Sequence, residues 1–187
     1  MTQPSLSECR SPWVVVTRQD DPWVAAEVAE LRRQGGTVVR MAGRELRDPA
    51  SLFAVFAREL SFPGYFGRNW DALADCLHDW HGHEFRGQGL AVLIEDADHL
   101  AHADFLGLFV SVLCQAAWQA NLRLDADGIR DEDWAPFPLH FVLLATDMEP
   151  TAFAAAAASG KHVRVAFDGG RLTATLIGAD WPGSDPA

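Results

Sequence analysis

Apolar positions along this chain alternate between short unbroken runs and stretches of helical spacing. "WVVVT" (13–17) is a β-branched run of the kind that forms a buried strand. Asp21 and Pro22 follow as a helix N-cap and a first-turn proline, and the helix they open should run to about Gln34, where Gly35 and Gly36 stop it. "TVVRM" (37–41) predicts the next strand. Asp48 and Pro49 repeat the cap signature, and Leu52, Phe53, Phe56 and Leu60 then fall on one helical face. "GLAVLIE" (89–95) and "LHFVLLAT" (139–146) are near-continuous apolar runs, the pattern of parallel strands covered on both sides. A long helix over 102–121 is expected between them and a weaker one near 150–159. "HVRVAF" and "RLTATLI", joined by "DGG", read as a hairpin, and the tail "WPGSDPA" should fray.

Strands alternating with helices specify an α/β fold with a mainly parallel sheet flanked by helices. No internal repeat and no separating linker is present, so residues 1–187 are expected to form one domain. The irregular span 125–138 is an acidic loop. It matches a calcium loop only superficially, because its glycine follows two acids rather than three.

The segment "GYFGRNWDALADCLHDW" (64–80) departs from an ordinary amphipathic helix. Asn69 is a good N-cap, and Trp70, Leu73, Ala74, Leu77 and Trp80 or His81 supply an inward stripe. Asp71, Asp75 and Asp79 recur every fourth residue, which sets like charges side by side on one face. The helix dipole favours Asp71 in the first turn, contributes little at Asp75 and opposes Asp79 near the end. No lysine or arginine lies three or four residues from Asp75, and only Arg68 is so placed for Asp71. The row is either a solvated face or a surface whose charge is matched by a partner.

Composition narrows that choice. With 49% apolar residues and seven tryptophans the chain can bury a sizeable core, and its formal charge is −11. Direct nucleic-acid binding is unfavourable for such a surface, whereas a basic protein is attracted to it. Cys9, Cys76 and Cys114 match no zinc or redox spacing, and a soluble protein of the reducing cytoplasm is expected. The start "MTQPSLSECRSPW" has no signal-peptide pattern, and no run is long enough to span a bilayer.

His78, His81 and His83 stand near Asp75, Asp79 and Cys76, but the helix should end near Gly82 and the histidines read as surface residues, so no metal or cofactor is expected. Cys76 beside carboxylates would have a raised pKa, the wrong direction for a nucleophile. Asp71 and Asp75 as a hydrolase pair would lack an apolar pocket to separate their pKa values. An enzyme is not expected.

"ELSFPGYFGRNWDALADCLHDW" closely resembles the signature of the barstar family of intracellular ribonuclease inhibitors. The resemblance is carried by Glu59-Leu60, Pro63, Tyr65-Phe66-Gly67, Asn69, Asp71, Ala72, Leu73, Asp75, Cys76, Leu77 and Trp80, and extends thinly by element order from "GTVVRMAGREL" to "HFVLLAT". It implies a barstar-like core at about 36–147, with extensions at 1–35 and 148–187. It also implies that an acidic helix and its loop plug the active site of a basic extracellular-type ribonuclease or toxin nuclease, as in an immunity protein. Asp75 would be the phosphate mimic, Asp71 its support and Tyr65 an aromatic anchor, within a partner surface of Tyr65, Phe66, Gly67, Arg68, Asn69, Asp71, Ala74, Asp75, His78 and Asp79. A non-inhibitory interaction domain of the same fold is the alternative. Ala74 stands where the family has a large aromatic, Arg68 replaces a loop acid, and residues 105–124 hold no acid. A monomer is expected.

Overall fold

The structure, a computed structural model, describes residues 3–82, 88–124, 129 and 135–177. Three helices begin where short polar side chains cap them. Asp21 accepts from the backbone N–H of Trp23 at 2.9 Å and opens α1 (Pro22–Arg33). Asp48 accepts from that of Ser51 at 2.8 Å and opens α2 (Pro49–Glu59), and Asn69 from that of Ala72 at 2.8 Å, opening α3 (Trp70–His78). Each cap satisfies a backbone donor the helix itself leaves unpaired, worth about 1 kcal/mol.

Six strands form one sheet: β1 (Val14–Arg18), β2 (Thr37–Ala42), β3 (Leu90–Glu95), β4 (Leu139–Ala145), β5 (Val163–Asp168) and β6 (Arg171–Leu176). Their order is β2-β3-β4-β1-β6-β5, with the first four parallel and β6 antiparallel to both β1 and β5. The mainly parallel α/β architecture read from the sequence is therefore the one observed. The hairpin closes through Gly169 and Gly170, both at positive φ (56° and 82°), and lies at a sheet edge.

β4 is buried throughout and β3 up to its last residue, Glu95, because both faces are covered. Val92, Ile94, Phe141 and Leu143 pack with α2, α3 and α4 (Leu106–Leu122), around Phe56 and Phe109. Ala91, Leu93, Val142 and Leu144 pack on the other face with Val24, Val28 and Leu31 of α1.

The helix expected over 102–121 starts later, at Leu106. Before it, residues Ala97–Leu100 form a 3₁₀ turn, and the Asp98 carboxylate accepts three backbone N–H groups, from Thr146 (2.8 Å), Asp147 (3.0 Å) and Met148 (2.6 Å). That bond set ties the turn to the end of β4, and further tight turns carry the chain from Leu100 to Leu106. A shorter α5 (Ala154–Ala158) follows the 3₁₀ turn Pro150–Phe153.

Candidate functional site: the acidic helix and its loop

Between α2 and α3 the chain makes a tight, well-anchored loop. Leu60 caps α2, Ser61 turns to positive φ (53°), and Phe62 N–H donates to Ala57 O at 3.0 Å, a helix-ending turn usually built on glycine. Phe66 N–H donates to Pro63 O at 2.9 Å, and Arg68 takes the loop through a second positive φ (49°) into the Asn69 cap. A non-glycine residue holds such a conformation only where its surroundings fix it. Here the fixing is aromatic: Phe66 meets Phe62 and Phe53 edge-on at 5.1 and 6.2 Å, and Trp70 meets Phe53 at 4.9 Å.

With Phe66 turned inward, its neighbour Tyr65 is thrown outward and is 79% exposed. Leu73, Ala74 and Leu77 face the core, so Asp71, Asp75 and Asp79 all lie on the exposed side of α3. A groove of about 80 Å³ separates the loop from the helix, lined by Pro63 and Tyr65 on one side and Asp75, Cys76 and Asp79 on the other. Trp80, buried, donates its indole N–H to Leu60 O at 3.1 Å and closes the groove's end.

The fold thus brings Tyr65, Asp75 and Asp79 to one groove and leaves Asp71 on the same face but outside its lining. Gly67, Arg68 and Asn69 are exposed beside it, and Asn69 is engaged as the cap. Ala74, placed above both in the inward stripe and at the partner surface, is only 5% exposed and belongs to the stripe. Phe62 and Pro63, not assigned to the surface from sequence, help line the groove; the apolar run "LSFPGYF" was their signal.

Electrostatics distinguish the three aspartates. Burial lifts the Asp75 carboxyl above its ordinary pKa, the charges of Asp79 and Asp71 add to that, and His78 opposes it. Among the described residues neither Asp75 nor Asp71 makes a salt bridge, Arg68 included. Asp79 differs, since His78 Nδ1 lies 2.9 Å from its Oδ1. That hydrogen bond raises the His78 pKa against the effect of burial.

Burial, then Asp79 and Asp75, push the Cys76 thiol up, the direction expected from its carboxylate neighbours and unfavourable for a nucleophile. No three metal-ligating side chains converge among the described residues. His83 and the acidic stretch 125–133, apart from Ile129, lie outside those residues, as does the calcium-like pattern. No described helix is long and apolar enough to cross a membrane.

Compared with known protein families, residues 36–124 match the family described as barstar (barnase inhibitor). The matched stretch runs from the residue before β2 to the end of the segment that follows α4, and it contains the loop, α3 and the groove. Strands β1, β4, β5 and β6 continue the same sheet outside it. The resemblance read from the sequence is thus supported over residues 36–124, where the chain is similar to the barstar family.

Proposed function

We propose that this protein inhibits a basic ribonuclease by placing α3 and the 61–69 loop in the enzyme's active site. The carrying observation is Asp75: an exposed carboxylate, raised in pKa by its surroundings, beside two like charges, with no ion-pair partner among the described residues. A phosphate-binding pocket lined with arginine, lysine and histidine supplies the cations that such a carboxylate lacks. Tyr65 would fill an adjacent pocket as an aromatic anchor. Asp71, Asp79 and His78 flank the central charge, with Gly67, Arg68 and Asn69 at the rim. The protein itself would be no enzyme and need no cofactor, and three cysteines without a disulfide suit a reducing cytoplasm.

A non-inhibitory interaction domain is the second reading, favoured by the absence of acids from α4 and by Arg68 in the loop. One titration separates the two. RNA cleavage by a purified secreted ribonuclease of the barnase type should fall in proportion to added protein, reaching zero at one equivalent. Binding seen by calorimetry without loss of cleavage would favour the second reading. Absence of both binding and inhibition across several basic ribonucleases would overturn the first.

A further inference from the structure

β5 ends the sheet, and among the described residues nothing pairs with its outer side. Such an edge presents unpaired backbone groups and is a template for another strand unless it is blunted. The phase of the ladder identifies which groups these are. Ala174 O accepts from Trp13 N–H at 3.0 Å, so Ala174 turns its backbone toward β1 and its neighbours Thr173 and Thr175 turn theirs toward β5. In the observed register Thr173 faces Ala166, Thr175 faces Arg164 and Arg171 faces Asp168. Arg164, Ala166 and Asp168 therefore bond to β6, and Val163, Val165 and Phe167 point their N–H and C=O groups outward.

This edge is complementary to itself. Two copies of β5 laid antiparallel about a two-fold axis through Ala166 set Arg164 of one copy opposite Asp168 of the other, on both sides of the axis. The outward groups of Val165 then meet those of Phe167 as hydrogen-bonded pairs. Arg164 and Asp168 fall in the non-hydrogen-bonded positions, where side chains approach most closely. Ala166 at the axis is small and exposed. Phe167, 48% exposed, gains Val165 of the second copy as a neighbour. Shifting by two residues either way sets Arg164 against Ala166 or Gly170 and leaves it without a carboxylate opposite. Neither Arg164 nor Asp168 makes an ion pair among the described residues.

We infer that the β5 edge joins two copies of this chain into one continuous sheet, held in register by reciprocal Arg164–Asp168 pairs. The contact is small beside the surface that stable complexes bury, so the dimer is weak and the expected monomer is its dilute form. β2 and β3, which flank α3 in the chain, lie at the other end of the sheet. The proposed inhibitory face is therefore not used up by this contact.

Sedimentation equilibrium from micromolar to millimolar protein tests it. The native chain should show a reversible monomer–dimer equilibrium. Arg164→Asp and Asp168→Arg should each weaken it about ten-fold, since each turns two attractive cross-strand pairs into repulsive ones. The double variant should restore it. Val165→Pro removes an outward N–H that β6 does not use, and should abolish dimerisation while circular dichroism stays native. A native chain that remains monomeric at millimolar concentration overturns the inference. So do charge variants that dimerise like the native chain, or a folded double variant as weak as the single ones.

Discussion

Trp80 Nε1 and Leu60 O, 3.1 Å apart and buried, join the end of the acidic helix to the end of α2. The bond spans the whole loop and closes the groove that holds Tyr65 and Asp75. Trp80→Phe keeps most of the apolar bulk but leaves Leu60 O without this donor. Unfolding in urea should show a loss of about 1–2 kcal/mol, and affinity for the ribonuclease should fall as the loop loosens. A variant as stable as the native chain would mean that the carbonyl finds another donor.

Asp75 should matter for binding and not for folding. Its folded pKa is raised, so the native state holds this proton more tightly than the unfolded chain does. The ionised carboxylate therefore costs stability at neutral pH, and that cost is relieved as pH falls through the raised pKa. Asp75→Ala should leave the urea midpoint at pH 7 unchanged or slightly higher. Affinity for the ribonuclease should drop by about 2–5 kcal/mol, as expected when one member of a buried interfacial charge pair is removed. Asp71→Ala should cost less, because Asp71 also serves the first turn of its own helix. Equal losses for both variants, measured by calorimetry, would make the row a generic charged surface.

What the sequence disclosed and what it hid divide by distance along the chain. The caps at Asp21, Asp48 and Asn69 bond residues two or three positions away, and each is read from a local pattern. β3 and β4 declare themselves by near-continuous apolar runs because both faces are covered. Ahead of α4, Asp98 reaches Thr146–Met148, across about fifty residues, and no local pattern signals it. The place of β1 beside β4 rather than β2 is a matter of topology and is equally silent. At the site, the four-residue spacing fixed the face of the aspartates. The loop that presents Tyr65 passes through positive φ at Ser61 and Arg68, where no glycine announces it.

Salt should act on association. The net charge of −11 and the exposed aspartates would steer the proposed basic partner over distances comparable to the Debye length, about 8 Å at physiological ionic strength. Stopped-flow association rates should fall steeply as salt rises, while dissociation changes little. A rate independent of salt would show that steering contributes nothing to encounter.

His140 should govern how the fold responds to mild acid. It is fully enclosed in β4, stacked 6.0 Å from Trp13, with Nε2 2.9 Å from Glu8 O and Nδ1 3.2 Å from Pro12 O. Burial depresses its pKa to about 4, more than the two carbonyls raise it. The native ring is therefore neutral and has one N–H to donate between two carbonyls. In the unfolded chain the ring regains a pKa near 6.5, and between these values the unfolded state binds the extra proton. Stability should fall as pH is lowered through this window and level off, for this group, below about 4. His78 acts with the opposite sign: its raised pKa gives stability that is full below the unfolded value and lost as pH rises through the folded one. His140→Gln keeps a donor and an acceptor but removes the titration. Its urea stability should be lower at pH 7 through imperfect packing, and should decline less than the native chain's between pH 6.5 and 4.5. If both proteins lose stability in parallel over that range, other groups control the acid response.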